Sequence, residues 1–354
     1  MKKLLSFAIL IVGILAFSAC SDDDDNSIDY GPKNIAGHGL FVVNEGSYYS
    51  QINGSLDWVS LSGDSVVRNV FQQTNAISLG GTPNDAVIDD GRLYIASTDE
   101  NRVWIVDAYS SKLINFVRVK NPRHLAAADG RVFVSSYTGK VYAIGEKEQA
   151  LVDSSEVLGQ RLEGIAVRNG NIYVCNSCSS DYQTYFTNVV KLDQNLDKRK
   201  NITVAANPNE IVSTSDGIYV NSWGNYSSVS SDVQKIDDND VVTSLGVQAT
   251  MIAAGNGGLY MVNPYGYPSA TYTFYNFSTK KTSEFIKGTE LFSAYSIAVD
   301  PANGDVFIAS QKKDASTGYA SYTTDGYLCR YHSDGTFVKQ YAIGVSPGTL
   351  VFRN

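Results

Sequence analysis

The sequence predicts an all-β fold: a seven-bladed β-propeller of four-stranded antiparallel blades, closed where the C-terminal strand joins the N-terminal blade. Three observations predict it. A turn glycine followed by a β-rich run with Tyr or Phe near its start recurs seven times. The aromatic positions are Phe41, Tyr94, Phe133, Tyr173, Tyr219, Tyr260 and Phe307, spaced by 53, 39, 40, 46, 41 and 47 residues, and periods of this size mark solenoids or propellers. Each period holds signals for four strands. Finally, the N-terminal unit lacks a first strand while the C-terminus carries a spare one.

The chain opens with a basic Met1-Lys-Lys3, an apolar run from Leu4 to Phe17, and Phe17-Ser-Ala-Cys20. The apolar run is too short to cross a bilayer and reads as a signal peptide over residues 1–19. Cys20 at the cleavage point resembles a bacterial lipobox, which makes it the expected lipidated N-terminus. Residues 20–35 then form a tether. Its Ser21-Asp-Asp-Asp-Asp25 resembles the surface-export signal of outer-membrane lipoproteins. The expected location is therefore the outer membrane, lipid-anchored and facing outward, with the lipid as the sole membrane contact.

Residues 36–354 carry the blades. First strands are apolar and end in tight turns, as in Asp85-Ala-Val-Ile-Asp-Asp-Gly91, His124-Leu-Ala-Ala-Ala-Asp-Gly130 and Gly164-Ile-Ala-Val-Arg-Asn-Gly170. Asp-Gly and Asn-Gly supply the positive φ that short hairpins need. The aromatic strand comes second. Third strands include Arg102-Val-Trp-Ile-Val-Asp107 and Lys140-Val-Tyr-Ala-Ile144, and more polar fourth strands include Leu113-Ile-Asn-Phe-Val-Arg118. Six full units begin near residues 83, 121, 161, 207, 249 and 293. The first unit has strands at 39–44, 55–60 and 65–71, and Pro347-Gly-Thr-Leu-Val-Phe352 supplies what it lacks. Closure of this kind removes exposed sheet edges at the two chain ends.

Composition excludes some functions. The net charge is −8, 18% of residues are charged and only three are histidine. An acidic chain without a Lys/Arg-rich run is not built for nucleic acid or anionic lipid. No HExxH, GxSxG, P-loop, GxGxxG or EF-hand pattern occurs, so the chain reads as a non-enzyme without cofactor or metal. Cys175-Asn-Ser-Cys178 is a single CxxC, short of a zinc ligand set, and in an exported protein it reads as a possible disulfide.

Two sets of loops open on one face of a propeller: those between blades and those after the second strand. The first set places Asn84, Arg123, Asn209 and Tyr295 around the central channel. The second carries Tyr48, Tyr49, Tyr137, Tyr182, Trp223, Tyr226 and Tyr265, beside Gly, Ser or Asn. Aromatics with a polar tip give large contact area at low entropy cost. These eleven are the expected ligand-binding residues.

The repeats resemble the YncE-like, NHL type of seven-bladed propeller. Lipobox, acidic tether, Asn44-Glu-Gly46 and the Thr82-Pro-Asn84 and Asn207-Pro-Asn209 blade openings together resemble a group of surface lipoproteins that includes the BtuG-type vitamin B12-binding proteins. That resemblance implies corrinoid capture, with cobalamin as ligand rather than cofactor, and transfer to a BtuB-like outer-membrane transporter. On this reading His124 could approach the cobalt. Aromatic loops suit a glycan of a polysaccharide uptake system equally well, and a propeller face can also serve as a protein-interaction scaffold.

Overall fold

The computed structural model describes residues 33, 35–264, 270–286, 288 and 291–353. They form seven four-stranded antiparallel sheets, and all but one are consecutive in sequence. The exception is the closing blade: Pro347–Arg353 pairs with Gly39–Asn44, Leu350 opposite Val42 and Phe352 opposite Leu40, followed by Ser55–Ser60 and Ser65–Val67. The expected ring closure is observed. Cys20 and the rest of the leader and tether up to residue 32 lie outside the described residues.

The repeat has a packing logic. Each conserved-in-period aromatic sits in the second strand, directly opposite a small or β-branched residue of the first: Tyr94 faces Val87, Phe133 faces Ala126, Tyr173 faces Ala166, and Phe307 faces Ala298. Tyr219, Tyr260 and Phe41 do the same with Val212, Ala253 and Val351. All seven are buried. A large ring on the second strand needs a small partner on the crowded first strand, which lies nearest the axis. The hairpin between them depends on two successive positive-φ residues, as at Asp90 (φ 41) and Gly91 (φ 71), the geometry of a type I′ turn.

One element departs from expectation. The third visible strand of blade one was expected over 65–71 but stops at Val67. Asn69 is left-handed, and its N–H is taken by Asp57 Oδ1 at 2.6 Å. The chain then turns into a short α-helix, Val70–Asn75. Val70 and Phe71 are buried there, Phe71 against Trp104 of the second blade at 5.5 Å. Covering that inter-blade seam outweighs extending an edge strand.

Both described chain ends lie at the same end of the strands. Arg353, 4% exposed, donates to the carbonyls of Ala108 (2.6 Å), Gly37 (2.7 Å) and Ile35, and its guanidinium lies 4.0 Å from the Trp58 ring. The first strands begin at the other end, and the channel opens there.

Candidate functional site

The first strands enter the ring with their opening residues against the axis. Three positions before the partner of each repeat aromatic stand Asn84, Arg123, Glu163, Asn209, Thr250, Tyr295 and Gly348, one per blade. Together with the loops after the second strands, all but Thr250 line a cavity of about 370 Å³ at the mouth of the channel. Every blade contributes. Below it a second cavity of about 240 Å³ continues along the first strands past Asp85, Leu125, Ile211 and Ile297, and shares His124, Glu210, Met251, Tyr295, Gly348 and Thr349 with the first.

Eight of the eleven expected residues line the upper cavity: Asn84, Arg123, Tyr137, Tyr182, Asn209, Trp223, Tyr226 and Tyr295. Two do not. Tyr48 and Tyr49 stand 69% and 96% exposed, edge to face against each other at 5.5 Å. Their loop is folded back on itself by the Ser47–Ile52 bridge, and its tip stays out of the cavity. Tyr265 lies outside the described residues. The expected Cys175–Cys178 disulfide is absent, and both are free thiols. They lie on one extended strand, Asn171–Cys178, where three residues span about 10 Å, beyond the reach of an S–S bond. Cys175 packs in the core, while Cys178 lines the cavity.

The residues not foreseen include three acids. Glu45, Glu163 and Glu210 line the upper cavity. Glu163 is the hub. Its Oε2 accepts Arg123 Nε at 3.0 Å and lies 3.6 Å from His124 Nε2, and its Oε1 accepts the Tyr137 hydroxyl at 2.5 Å. Burial opposes its charge, but Arg123, His124 and Tyr137 outweigh that and hold its pKa down at about 2. Burial likewise opposes charge on His124, yet Asp85 and Glu163 on either side raise it to about 9. An imidazolium engaged on both nitrogens has no lone pair to offer a metal, so the structure argues against His124 as an axial cobalt ligand.

Aromatic side chains wall this hub. The Arg123 guanidinium lies 4.6 Å from the Tyr137 ring. Arg161 lies 4.3 Å from Tyr137 and 4.0 Å from Tyr182. Tyr226 packs edge-on against Tyr185 at 5.7 Å, and Asn207 accepts Ser177 Oγ at 2.6 Å. Tyr295 donates to Glu45 Oε2 at 2.8 Å. Glu210 Oε2 accepts Ile252 N at 2.9 Å and Asn221 Nδ2 at 3.4 Å. Burial pushes both Glu45 and Glu210 up, Glu210 to about 7. Beyond the cavity the same end of the ring exposes Tyr319 (74%) and Tyr322 (51%), on the loop after the second strand of blade seven. The arrangement can grip a ligand by ring contacts and amide hydrogen bonds.

The family described as "Domain of unknown function (DUF5074)" matches residues 38–352. The chain belongs to the DUF5074 family. The match begins one residue before the closing blade's second strand and ends in its first, so the DUF5074 domain here is the whole ring. Similar solved structures include a quinonprotein alcohol dehydrogenase-like protein from Bacteroides thetaiotaomicron (15% identity, TM-score 0.64, 91% of this chain and 79% of that one). Hydrazine synthase of Kuenenia stuttgartiensis is similar over 75% of this chain and 88% of that one (13% identity, TM-score 0.60). Apo AztD from Citrobacter koseri is similar over 89% and 98% (10% identity, TM-score 0.57). At such identities the likeness is one of fold. Among curated proteins none matches.

Proposed function

We propose that this DUF5074 propeller is a ligand-capture protein whose ligand lies across the mouth of the channel. One observation carries the reading: all seven blades place residues on a single cavity of about 370 Å³, whose lining joins the rings of Tyr137, Tyr182, Trp223 and Tyr226 and the amides of Asn84, Asn207 and Asn209 to buried charged groups. Ligand sites are concave, aromatic-lined and given a few converging polar groups. The cavity is smaller than a corrinoid, so a corrinoid would insert one edge and spread over the exposed tyrosines at the rim. Asn84, Asn207 and Asn209 would pair with its amide side chains. The resemblance of leader, tether and blade openings to BtuG-type lipoproteins supports that choice and the hand-off to an outer-membrane transporter. The described chain enters at the end of the ring away from the mouth, so an N-terminal lipid anchor would leave the mouth unobstructed.

A glycan is the second reading, favoured by Trp223 at the mouth within the same cavity as Asn207 and Asn209, an arrangement that suits a sugar face and its hydroxyls. Calorimetric titration of the purified protein with cyanocobalamin and with a panel of oligosaccharides separates the two. Saturable heat with cyanocobalamin alone supports the first, and heat with an oligosaccharide alone replaces it by the second. No heat with either removes both.

A further inference from the structure

The acidic groups of the channel are not equivalent. Asp85 and Glu163 are committed: Asp85 Oδ2 accepts Leu125 N at 2.8 Å and faces His124 at 3.4 Å, while Glu163 holds Arg123, His124 and Tyr137. That uses both cations lining the cavities, since Arg161 sits between the rings of Tyr137 and Tyr182. Glu45 and Glu210 form no ion pair among the described residues. Each is hydrogen-bonded through Oε2 alone: Glu45 to Tyr295, Glu210 to Ile252 N and Asn221. Their Oε1 atoms have no protein partner among the described residues. Glu45 Oε1 stands over Gly348, where a Cβ would approach it to 2.5 Å, so glycine there keeps the carboxylate in place.

Aromatic surface lies in the same cavity: Trp223, Tyr226 and Tyr295. Ring faces and carboxylates both attract cations, and together they recognise ammonium groups. The protein already shows how its rings take a cation, in Arg161 between Tyr137 and Tyr182. We propose that Glu210 and Glu45, which line this cavity without an ion pair, offer a subsite for an alkylammonium group, a positively charged nitrogen that neither cyanocobalamin nor a neutral oligosaccharide carries and that a ligand filling the subsite would bring. An ammonium N–H would supply a donor to an open Oε1, and its charge would balance a carboxylate that the protein leaves without an ion pair. This rests on the reading of the cavity as a ligand site, and goes beyond it by naming a charge the ligand brings.

The same geometry sets a pH dependence. The charged groups around Glu210 are His124 and Asp85, on the first strands of blades three and two, with Glu163 on the adjoining blade four and Arg123 and Glu45 lining the same cavity. With burial holding Glu210 near 7, a cation is favoured above that pH and must displace a proton below it.

The test compares n-butylammonium with its neutral isostere 1-butanol, by calorimetry at low salt on the whole protein. At about pH 8 butylammonium should bind at least ~10-fold more tightly, and Glu210→Gln should abolish that preference. At about pH 5.5 the wild-type preference should fall by ~10-fold. Equal affinity of the two probes, binding of neither, or a preference that survives Glu210→Gln overturns the proposal. Should Glu210→Gln fail to fold, the wild-type pH comparison decides, and Glu45→Gln serves as the second variant. Cyanocobalamin and the oligosaccharides are titrated in parallel: if one binds while butylammonium does not, the subsite is lost and the capture reading stands.

Discussion

Tyr295, on the first strand of blade seven, donates its hydroxyl to Glu45 of blade one at 2.8 Å across 250 residues of sequence. The bond spans the place where the chain's two ends meet, so the cavity exists only while the ring is shut. Closure is a matter of strand pairing at Gly39–Asn44 with Pro347–Arg353, and of Arg353 beneath it.

Removing residues 346–354 should therefore open the ring, leave Gly39–Asn44 as a bare edge and promote aggregation. A variant that stays monomeric in size-exclusion chromatography and melts like the parent would contradict the closure. The milder Arg353→Ala leaves the carbonyls of Ala108, Gly37 and Ile35 unsatisfied and strips a cation from Trp58. Orphaned buried acceptors cost about 1–3 kcal/mol each, so a loss of about 3 kcal/mol in unfolding free energy is expected by denaturant titration, with the ring intact.

Much of this was legible before any coordinates. Glycine, aromatic and period located the second strands, and the spare C-terminal strand located the seam. Tyr137, Trp223 and Tyr295 were legible as mouth residues because loop position alone puts them there. Glu163 was missed by one residue. Blade four opens with Arg161-Leu-Glu163 instead of the Pro-Asn or Pro-Arg of its neighbours, so the punctuation fell early. Counting back from the hairpin glycine avoids the slip: Gly91, Gly130 and Gly170 each follow the channel position by seven, which aligns Glu163 with Asn84 and Arg123. The partnership of Glu163 with His124 and Tyr137 was not legible, because side chains from separate blades meet only through ring geometry. Tyr48 and Tyr49 failed for the opposite reason: their loop belongs to the right end of the ring but closes locally and leaves both rings exposed outside the cavity.

The cysteines give a quick check. Cys175, Cys178 and Cys329 are buried thiols, and burial raises the pKa of Cys175 and Cys178, lowering their reactivity. The folded protein should react slowly with a thiol reagent, and the denatured, unreduced protein should expose all three. A mass lower by two hydrogens, restored by reductant, would show that Cys175 and Cys178 do pair in solution.

The charged hub predicts how stability follows pH. Glu163, held at about 2, adds stability that is complete above the ordinary 4.5 and disappears as pH falls toward 2. His124, raised to about 9, adds stability that is complete below 6.5 and disappears as pH rises through 9. Glu210, raised to about 7, acts in the same direction, its share lost between 4.5 and 7. The unliganded protein should melt highest near pH 5–6 and lower at pH 9, by scanning calorimetry. Glu163→Gln should cost about 3 kcal/mol by leaving Arg123 without its charge partner in a buried site, and should flatten the decline between pH 6.5 and 9 because His124 then loses one of its two acidic neighbours. An unchanged decline in that variant would mean that Asp85 alone holds the His124 proton.

The mouth is tested through Trp223. Its indole is half-buried and lines the cavity beside Asn207, Asn209 and Tyr226. Its backbone N–H bonds to Asn207 at 2.9 Å and Gly224 N to Ala206 at 3.0 Å, so the main chain fixes the loop whatever the side chain does. None of the seven core clusters includes it. Truncation should therefore spare the fold. Large aromatics near the centre of a binding surface often carry ~2 kcal/mol or more, and about 1.4 kcal/mol is a factor of ten. Trp223→Ala should weaken binding of whichever ligand saturates the wild type by at least ~30-fold, with a nearly unchanged melting temperature. Tyr49→Ala, on the exposed loop outside the cavity, should leave affinity within ~3-fold if the ligand stays inside the cavity. A marked loss there would instead mean that the ligand spreads over the rim, as a corrinoid must. Unchanged binding in Trp223→Ala together with a lowered melting temperature would make Trp223 a packing residue and move the search for the ligand to the opposite end of the ring.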